Sequence, residues 1–214
     1  MNIKTFFLPI NKIIKVLMLS DFIIITAFGF IGPIFAIFIT DKIKGGTIET
    51  VGFASAIYWV AAVLTRLPIA RYIDKTKSEK DDFYFMIFGS LLIAVVPFLF
   101  IASTKIWHIY LIQMLYGLGY SLRLPGWYGM FTRHIDKGRE GYEWSFDSLI
   151  SGVGSGAAAA FGGIMAFRLG FEVLFILVGA ISILGSAVLI FLYYIIEPNH
   201  HNVAEESKSW DTRY

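Results

Sequence analysis

Long apolar runs alternate with short polar stretches along the whole chain. A bilayer core of about 30 Å needs about 20 helical residues to cross it, because backbone polar groups cannot face lipid unpaired. Six runs reach that length, at residues 14–39, 50–73, 83–103, 106–132, 142–167 and 171–196. The pattern predicts an all-α membrane protein with six transmembrane helices in one domain, residues 14–196. Residues 1–13 form the N-terminal segment and residues 197–214 a polar tail.

Composition points the same way and removes several other classes of protein. Hydrophobic residues make up 57% of the 214 residues and charged ones 16%, which a water-soluble domain does not show. The chain has no cysteine, so it has neither a disulfide framework nor a thiolate metal site. No metal-binding histidine pair, phosphate-binding glycine loop or catalytic nucleophile motif appears. We therefore expect no enzyme activity, no cofactor, no metal site and no nucleic-acid partner.

Lysine and arginine are divided unequally between the two sets of connections. The poorer set holds Lys42, Lys44, Lys105 and Arg168. The richer set comprises the N-terminus, the second-to-third and fourth-to-fifth connections and the tail: Lys4, Lys12, Lys15, Arg71, Lys75, Lys77, Lys80, Arg133, Lys137, Arg139, Lys208 and Arg213. Basic loops stay in the cytoplasm, so the asymmetry predicts a protein of the cell membrane with both termini cytoplasmic.

The connection after the second run carries a recognisable motif. Its sequence, Ala70-Arg-Tyr-Ile-Asp74-Lys75-Thr-Lys77, resembles the Gly-x-x-x-Asp-Arg/Lys-x-Gly-Arg/Lys pattern of the major facilitator superfamily. Asp74 and Lys75 are kept, while Ala70 and Lys77 replace the glycines.

Two further runs support this resemblance. In the fourth run, Gln113-Met-Leu-Tyr116-Gly117-Leu-Gly119 resembles the family's Arg-x-x-Gln-Gly-x-Gly, without its arginine. In the fifth run, Gly162 and Gly163 match the end of Gly-Pro-x-x-Gly-Gly, with Ala158 and Ala159 at its start.

The resemblance covers residues 15–196 and implies one half of the family's fold, with a 3+3 inverted repeat. A family transporter has two such halves, so we expect a complete six-helix chain that forms a parallel homodimer. That dimer would move a small solute across the bilayer by alternating access. Two alternatives stay open: a non-transporting assembly or regulatory subunit that keeps the half-fold, and a fragment of a longer chain.

The fourth run has a polar and aromatic stripe at helical spacing. Its members follow each other at intervals of three, four, three and four: Gln113, Tyr116, Tyr120, Arg123 and Trp127. At about 100° per residue they share one face of the helix. An arginine inside a membrane is costly unless it faces water, a cavity or a partner, and the family's fourth helix lines the central cavity. The stripe is therefore our candidate substrate cavity; packing of the aromatic rings against neighbouring helices is the alternative.

Five ionisable residues are candidates for coupling or gating. Asp21 is a candidate proton or substrate-cation site; alternatively, it pairs with Arg123 or Arg66, or lies at the headgroup boundary. Arg66, Glu143 and Asp147 are candidates for a gate of ion pairs. The family resemblance implies that Asp74 approaches the start of the fifth helix in the partner, near residues 141–144. The alternative for Asp74 is an ion pair with Arg71 or Lys77.

The fifth run contains a series of small residues that let another backbone approach closely: Gly152, Gly154, Gly156, Gly162 and Gly163. That approach serves either a neighbour within the protomer or a contact across a dimer.

Overall fold

The computed structural model describes residues 10–76 and 78–195, and these residues are almost entirely helical. The helices are α1 (Lys12–Gly29), α2 (Phe35–Lys42), α3 (Ile48–Thr76), α4 (Glu79–Ala102), α5 (Ile106–His134) and α6 (Glu140–Val188). The predicted runs 50–73, 83–103 and 106–132 agree within a few residues with α3, α4 and α5.

The first run is interrupted, so the prediction of one continuous helix over 14–39 is wrong. The amide of Phe30 donates to the carbonyl of Ala27 and the amide of Ile31 to that of Phe28, which tightens the end of α1. A short 3₁₀ turn, Gly32–Ile34, follows with Pro33 near its start. Proline has no amide to donate, and it therefore breaks the α-helical hydrogen-bond ladder.

The fifth run and the larger part of the sixth lie in α6, which consists of two arms separated by Gly170. The backbone at Gly170 has φ 84° and ψ 164°, a conformation that glycine adopts without steric cost. We call residues 140–169 the first arm and residues 171–188 the second arm. Helical backbone resumes over 190–195 after a turn at Leu189.

Four helical stretches in the described part of the chain are long and apolar enough to cross a membrane: Lys12–Lys42, Ile48–Thr76, Glu79–Ala102 and Glu140–Ile195. The last has 56 residues, about 84 Å of helix against a bilayer core of about 30 Å. Helix α5 is not among the four. That six helices cross the membrane, and that they form a 3+3 inverted repeat, therefore stay predictions.

The polar connection at 74–82 is mostly helical, because the two flanking helices extend three and four residues beyond the predicted runs. Helix α3 continues to Thr76 and α4 begins at Glu79. The first turn of α4 holds Glu79, Asp81 and Asp82, which favour a helix start because their charge opposes the positive end of the helix dipole. Asp74 lies in the last turn of α3.

Four helical elements form a row. Helix α3 packs against α5, α5 contacts α1, and α1 packs against the first arm of α6. Helix α4 and the second arm of α6 lie behind this row, with Gly179 against Phe98. Helix α3 and the first arm of α6 therefore occupy the two ends of the row.

Two contacts identify the ends of the bundle. An isolated bridge between Lys44 and Lys105 joins the α2–α3 and α4–α5 connections. At the other end, His134 accepts a hydrogen bond on its carbonyl from the Asn11 side chain, and its ring contacts Glu79. We call this second end, which carries the start of α1 and the α3–α4 and α5–α6 connections, the basic end. The basic end has an apolar cluster around Leu17 and Phe131, and the opposite end has one around Phe38 and Phe100.

Candidate functional site

A buried ion pair joins α1 to α5 in the half of the bundle nearer the basic end. Nη2 of Arg123 lies 2.6 Å from Oδ1 of Asp21, and both side chains are buried. Nε of Arg123 donates to the hydroxyl of Ser90 on α4 at 3.1 Å. The structure thus brings Asp21 to Arg123 rather than to Arg66, and one guanidinium links three helices.

Close helix contact positions this arginine. A Cβ built on Gly89 of α4 would lie 2.5 Å from the amide nitrogen of Arg123 and from the carbonyl oxygen of Gly119. Only a residue without a side chain lets α4 and α5 cross this closely. Ser90 follows directly, which places its hydroxyl against the guanidinium.

A cavity of about 790 Å³ lies along the row of α3, α5, α1 and the first arm of α6. Four members of the predicted stripe line it: Tyr116, Tyr120, Arg123 and Trp127. The fifth, Gln113, lines an adjoining cavity of about 220 Å³ that shares Tyr116. The stripe thus lies along two adjoining cavities, and its role in binding a substrate stays a prediction.

The other walls include aromatic residues that the sequence analysis did not select. Phe28 of α1 stacks on Tyr116, with ring centroids 4.9 Å apart, and Tyr58 of α3 lies 4.7 Å from the same ring. Trp144 and Tyr128 complete the lining near the basic end. Only the helix packing reveals these residues, because aromatic side chains are spread throughout the sequence.

Arg66 lies beside this cavity and has no ion-pair partner in the part of the chain that the structure describes. Its guanidinium carbon is 5.4 Å from the centre of the Tyr120 ring, within the range of a cation–π contact. Nε and Nη2 are buried without a hydrogen-bond partner among the described residues. The structure brings Arg66 to neither Glu143 nor Asp147, because α3 and α6 lie at opposite ends of the row.

The carboxylates of α6 also keep unpaired atoms in the described part of the chain. Glu143 is fully buried; its Oε2 accepts weakly from the amide of Asp136 at 3.5 Å, while Oε1 has no partner. Asp147 lines the cavity, is 7% exposed and has no partner for Oδ1. In residues 10–76 and 78–195, no group of three or more His, Asp or Glu side chains is placed to hold a metal ion.

A second charged cluster, which the sequence analysis missed, links α4 to α5 at the basic end. Arg133 forms an ion pair with buried Asp82, and Nε2 of His134 lies 2.8 Å from Oε1 of Glu79. Acidic residues in the first turn of one helix and basic residues in the last turn of another were visible in the sequence. Their pairing depends on α4 packing against α5.

Asp74 is exposed at the same end. Within the described residues it forms no ion pair with Arg71. The alternative partner, Lys77, lies outside the described residues.

Cysteines at Tyr116 and Tyr120 are expected to react with a membrane-impermeant thiol reagent, because both positions face the cavity. Cysteines at Leu115 and Leu122 are expected to resist, since they lie off the predicted stripe. The natural chain contributes no background, as it has no cysteine. Labelling is measured by mass spectrometry on protein in lipid bilayers. The reverse order of reactivity would show that α5 turns its other face to water.

Long apolar helices, a buried intramembrane ion pair and a central cavity define a multi-pass membrane protein. The family model described as Major Facilitator Superfamily matches residues 17–212. The match spans most of the chain, and the chain belongs to the major facilitator superfamily.

One curated relative is the proton-coupled antiporter flippase LtaA of Staphylococcus haemolyticus. It is 28% identical to this chain over 135 residues, which cover 63% of this chain and 33% of the relative. The match therefore spans about a third of the relative's length.

Proposed function

We propose that this chain is one half of an alternating-access transporter for a small solute and works as a parallel homodimer. The observation that carries the proposal is the cavity along one row of helices, with the buried Asp21–Arg123 pair at its wall. Its volume of about 790 Å³ lies in the usual range for small-molecule sites, roughly 300–1,000 Å³. Family membership supports transport as the activity.

The homodimer follows from how such cavities are completed. In the family's fold, two six-helix halves are related by an axis along the membrane normal, and the substrate lies between them. A second copy of this chain, related by a two-fold axis, supplies the missing half with the same residues. Six crossings and the 3+3 repeat belong to this proposal.

The distribution of basic residues supports one orientation in the membrane. The basic end carries the excess of lysine and arginine and would therefore be cytoplasmic, in the cell membrane. The charged cluster of Asp82, Arg133, Glu79 and His134 would then lie at the cytoplasmic side, where it fixes α4 to α5.

A lipid is a second candidate substrate, because the relative from Staphylococcus haemolyticus is named a flippase. Its name also includes proton coupling, which supports a proton as the driving ion here. The aromatic walls of the cavity suit an amphiphile as well as a sugar, because aromatic rings pack against the apolar surface of either kind of molecule.

The experiment begins with thermal unfolding of the purified protein against sugars, organic anions and cationic amphiphiles, because ligands of the folded state raise its apparent stability. Compounds that stabilise the protein are then tested for counterflow in proteoliposomes. A parallel assay follows the movement of a fluorescent lipid between the two leaflets, because lipid in the inner leaflet is protected from dithionite. Wild-type protein should move one of these classes. A non-transporting subunit would move none of them.

Asp21→Asn is expected to abolish pH-driven uptake and to preserve solute exchange, if transport is proton-coupled. Asparagine at position 21 has no charge to hold Arg123, and it can neither take up nor release a proton. The measurement compares uptake under a pH gradient with exchange at equal pH. Loss of exchange as well would mark Asp21 as a binding or structural carboxylate.

A further inference from the structure

A groove of about 490 Å³ runs between α4 and α5 at the end of the bundle opposite the basic end. We call it the α4–α5 groove. Its walls are almost entirely apolar and include Leu99, Ala102, Trp107, Leu111, Met114 and Leu118. Ser103 also lines the groove, but its hydroxyl already donates to the carbonyl of Phe100 at 2.7 Å. The α4–α5 groove is therefore suited to an apolar ligand.

The groove faces away from the cavity. Its residues on α5 follow each other at intervals of four, three and four, and they share one face of the helix: Trp107, Leu111, Met114 and Leu118. At about 100° per residue, this face lies opposite the stripe that begins at Gln113. Helix α4 is long and apolar enough to cross a membrane, and α5 packs along it. The exposed side chains of this face therefore meet lipid.

The length of the groove matches the depth of one leaflet. Leu118 lies 11 positions after Trp107, which is about 16 Å of helix. One leaflet is half of a bilayer core of about 30 Å, or about 15 Å. Tryptophan is enriched where the bilayer core meets the headgroups, and Trp107 lies at the end of the groove nearer the end of the bundle. The groove can therefore hold one acyl chain along its full length.

Two lysines meet at the mouth of the groove. A backbone bridge joins Lys44 to Lys105, and the amide of Lys44 donates to the carbonyl of Thr104 at 3.0 Å. Lys105 lies in the chain between Ser103 and Trp107, which both line the groove. Both lysines are exposed, and neither forms an ion pair within residues 10–76 and 78–195. Like charges opposite each other in a bridge repel, so an anion between them would be stabilising.

We propose that the α4–α5 groove binds an anionic phospholipid, with one acyl chain along α5 and the phosphate between Lys44 and Lys105. Basic residues beside transmembrane helices attract anionic headgroups. In the orientation proposed above, this lipid belongs to the outer leaflet. The lipid is distinct from any transported substrate, because the groove and the cavity lie on opposite faces of α5. Its headgroup holds the α2–α3 connection to the α4–α5 connection.

Fluorescence quenching by brominated lipids tests the site in bilayers. Met114→Cys carries a bimane label, in a chain that has no other cysteine. Brominated phosphatidylglycerol should show an affinity for this position about fivefold higher than brominated phosphatidylcholine, because two lysines attract its phosphate. The control label is on Ile176→Cys, in the second arm of α6. Its side chain is 45% exposed, against 44% for Met114, and it should show no preference between the two lipids.

Two double variants test the role of the lysines. Lys44→Gln with Lys105→Gln should remove the preference at the Met114 label, so that both lipids quench equally. Lys42→Gln with Arg168→Gln removes two exposed cations at the same end of the bundle. Lys42 lies beside the second arm of α6 and not at the groove, so this variant should keep the preference.

Three results would overturn the proposal. Equal quenching by the two lipids at Met114, without the lysine substitutions, would show that the groove does not select an anionic lipid. Quenching by neither lipid would show that protein covers the groove, as a second copy of the chain would. Loss of the preference on addition of inorganic phosphate, at constant ionic strength, would show that the lysines bind a free anion instead of a lipid.

Discussion

Arg123→Met is expected to lower the free energy of unfolding by about 3–5 kcal/mol, because removing one partner of a buried ion pair leaves the other charge uncompensated. The stranded group is Asp21, which is 7% exposed and lies within an apolar helix. Equilibrium unfolding of the protein in mixed micelles measures the effect.

Two control variants make this result specific. The double variant Asp21→Asn with Arg123→Met removes both charges and should recover most of the lost stability. Lys44→Met removes an exposed cation at the other end of the bundle and should change stability little, since exposed charges contribute roughly 0–1 kcal/mol. A double variant as unstable as Arg123→Met alone would show that the arginine acts by packing and not by charge.

Asp74→Asn is expected to shift the dimer toward inward-facing states. The partner's α6 begins at Glu140, and its first turn presents unpaired amides and the positive end of the helix dipole. A carboxylate there would contribute roughly 0.3–1 kcal/mol, up to about 2 when partly buried, and the proposed homodimer would have two such contacts. Spin labels should show shorter distances across the outer openings and longer ones across the inner openings.

The control for this prediction is Asp41→Asn, which removes an exposed carboxylate at the opposite end of the bundle. It should leave both sets of distances unchanged. Distance distributions in Asp74→Asn that equal those of wild type would show that Asp74 does not hold the cytoplasmic side closed.

The sequence indicates the stripe on the fourth run, and it offers the Asp21–Arg123 pair as one of several alternatives, for physical reasons that act locally. Arg123 needs a partner inside a membrane, and the stripe that contains it faces one way because helical periodicity fixes the relative direction of its side chains. The choice of Asp21 over other acids required the packing of α1 against α5. The same holds for Glu79 and His134, whose helices meet only in the folded bundle.

Two features show where local patterns are insufficient. Pro33 is visible in the first run, but apolar length alone does not reveal that the helix ends near Gly29. The small residues of the fifth run predict close approach without saying by which neighbour. The structure divides them: Gly162 packs against Phe30, directly after α1, while Gly152 and Gly156 remain open.

Alternating access makes one cavity reachable from either side of the membrane, but not from both at once. The most direct test places a single cysteine at Tyr120 in sealed vesicles with uniform orientation and adds a membrane-impermeant thiol reagent to one side only. If access alternates, the reagent should modify this cysteine from each side in separate experiments. A chemical cross-link between the basic ends of the two subunits should then abolish reaction from the cytoplasmic side alone. A cysteine that reacts from one side only, or from both sides despite the cross-link, would contradict transport by alternating access in a homodimer.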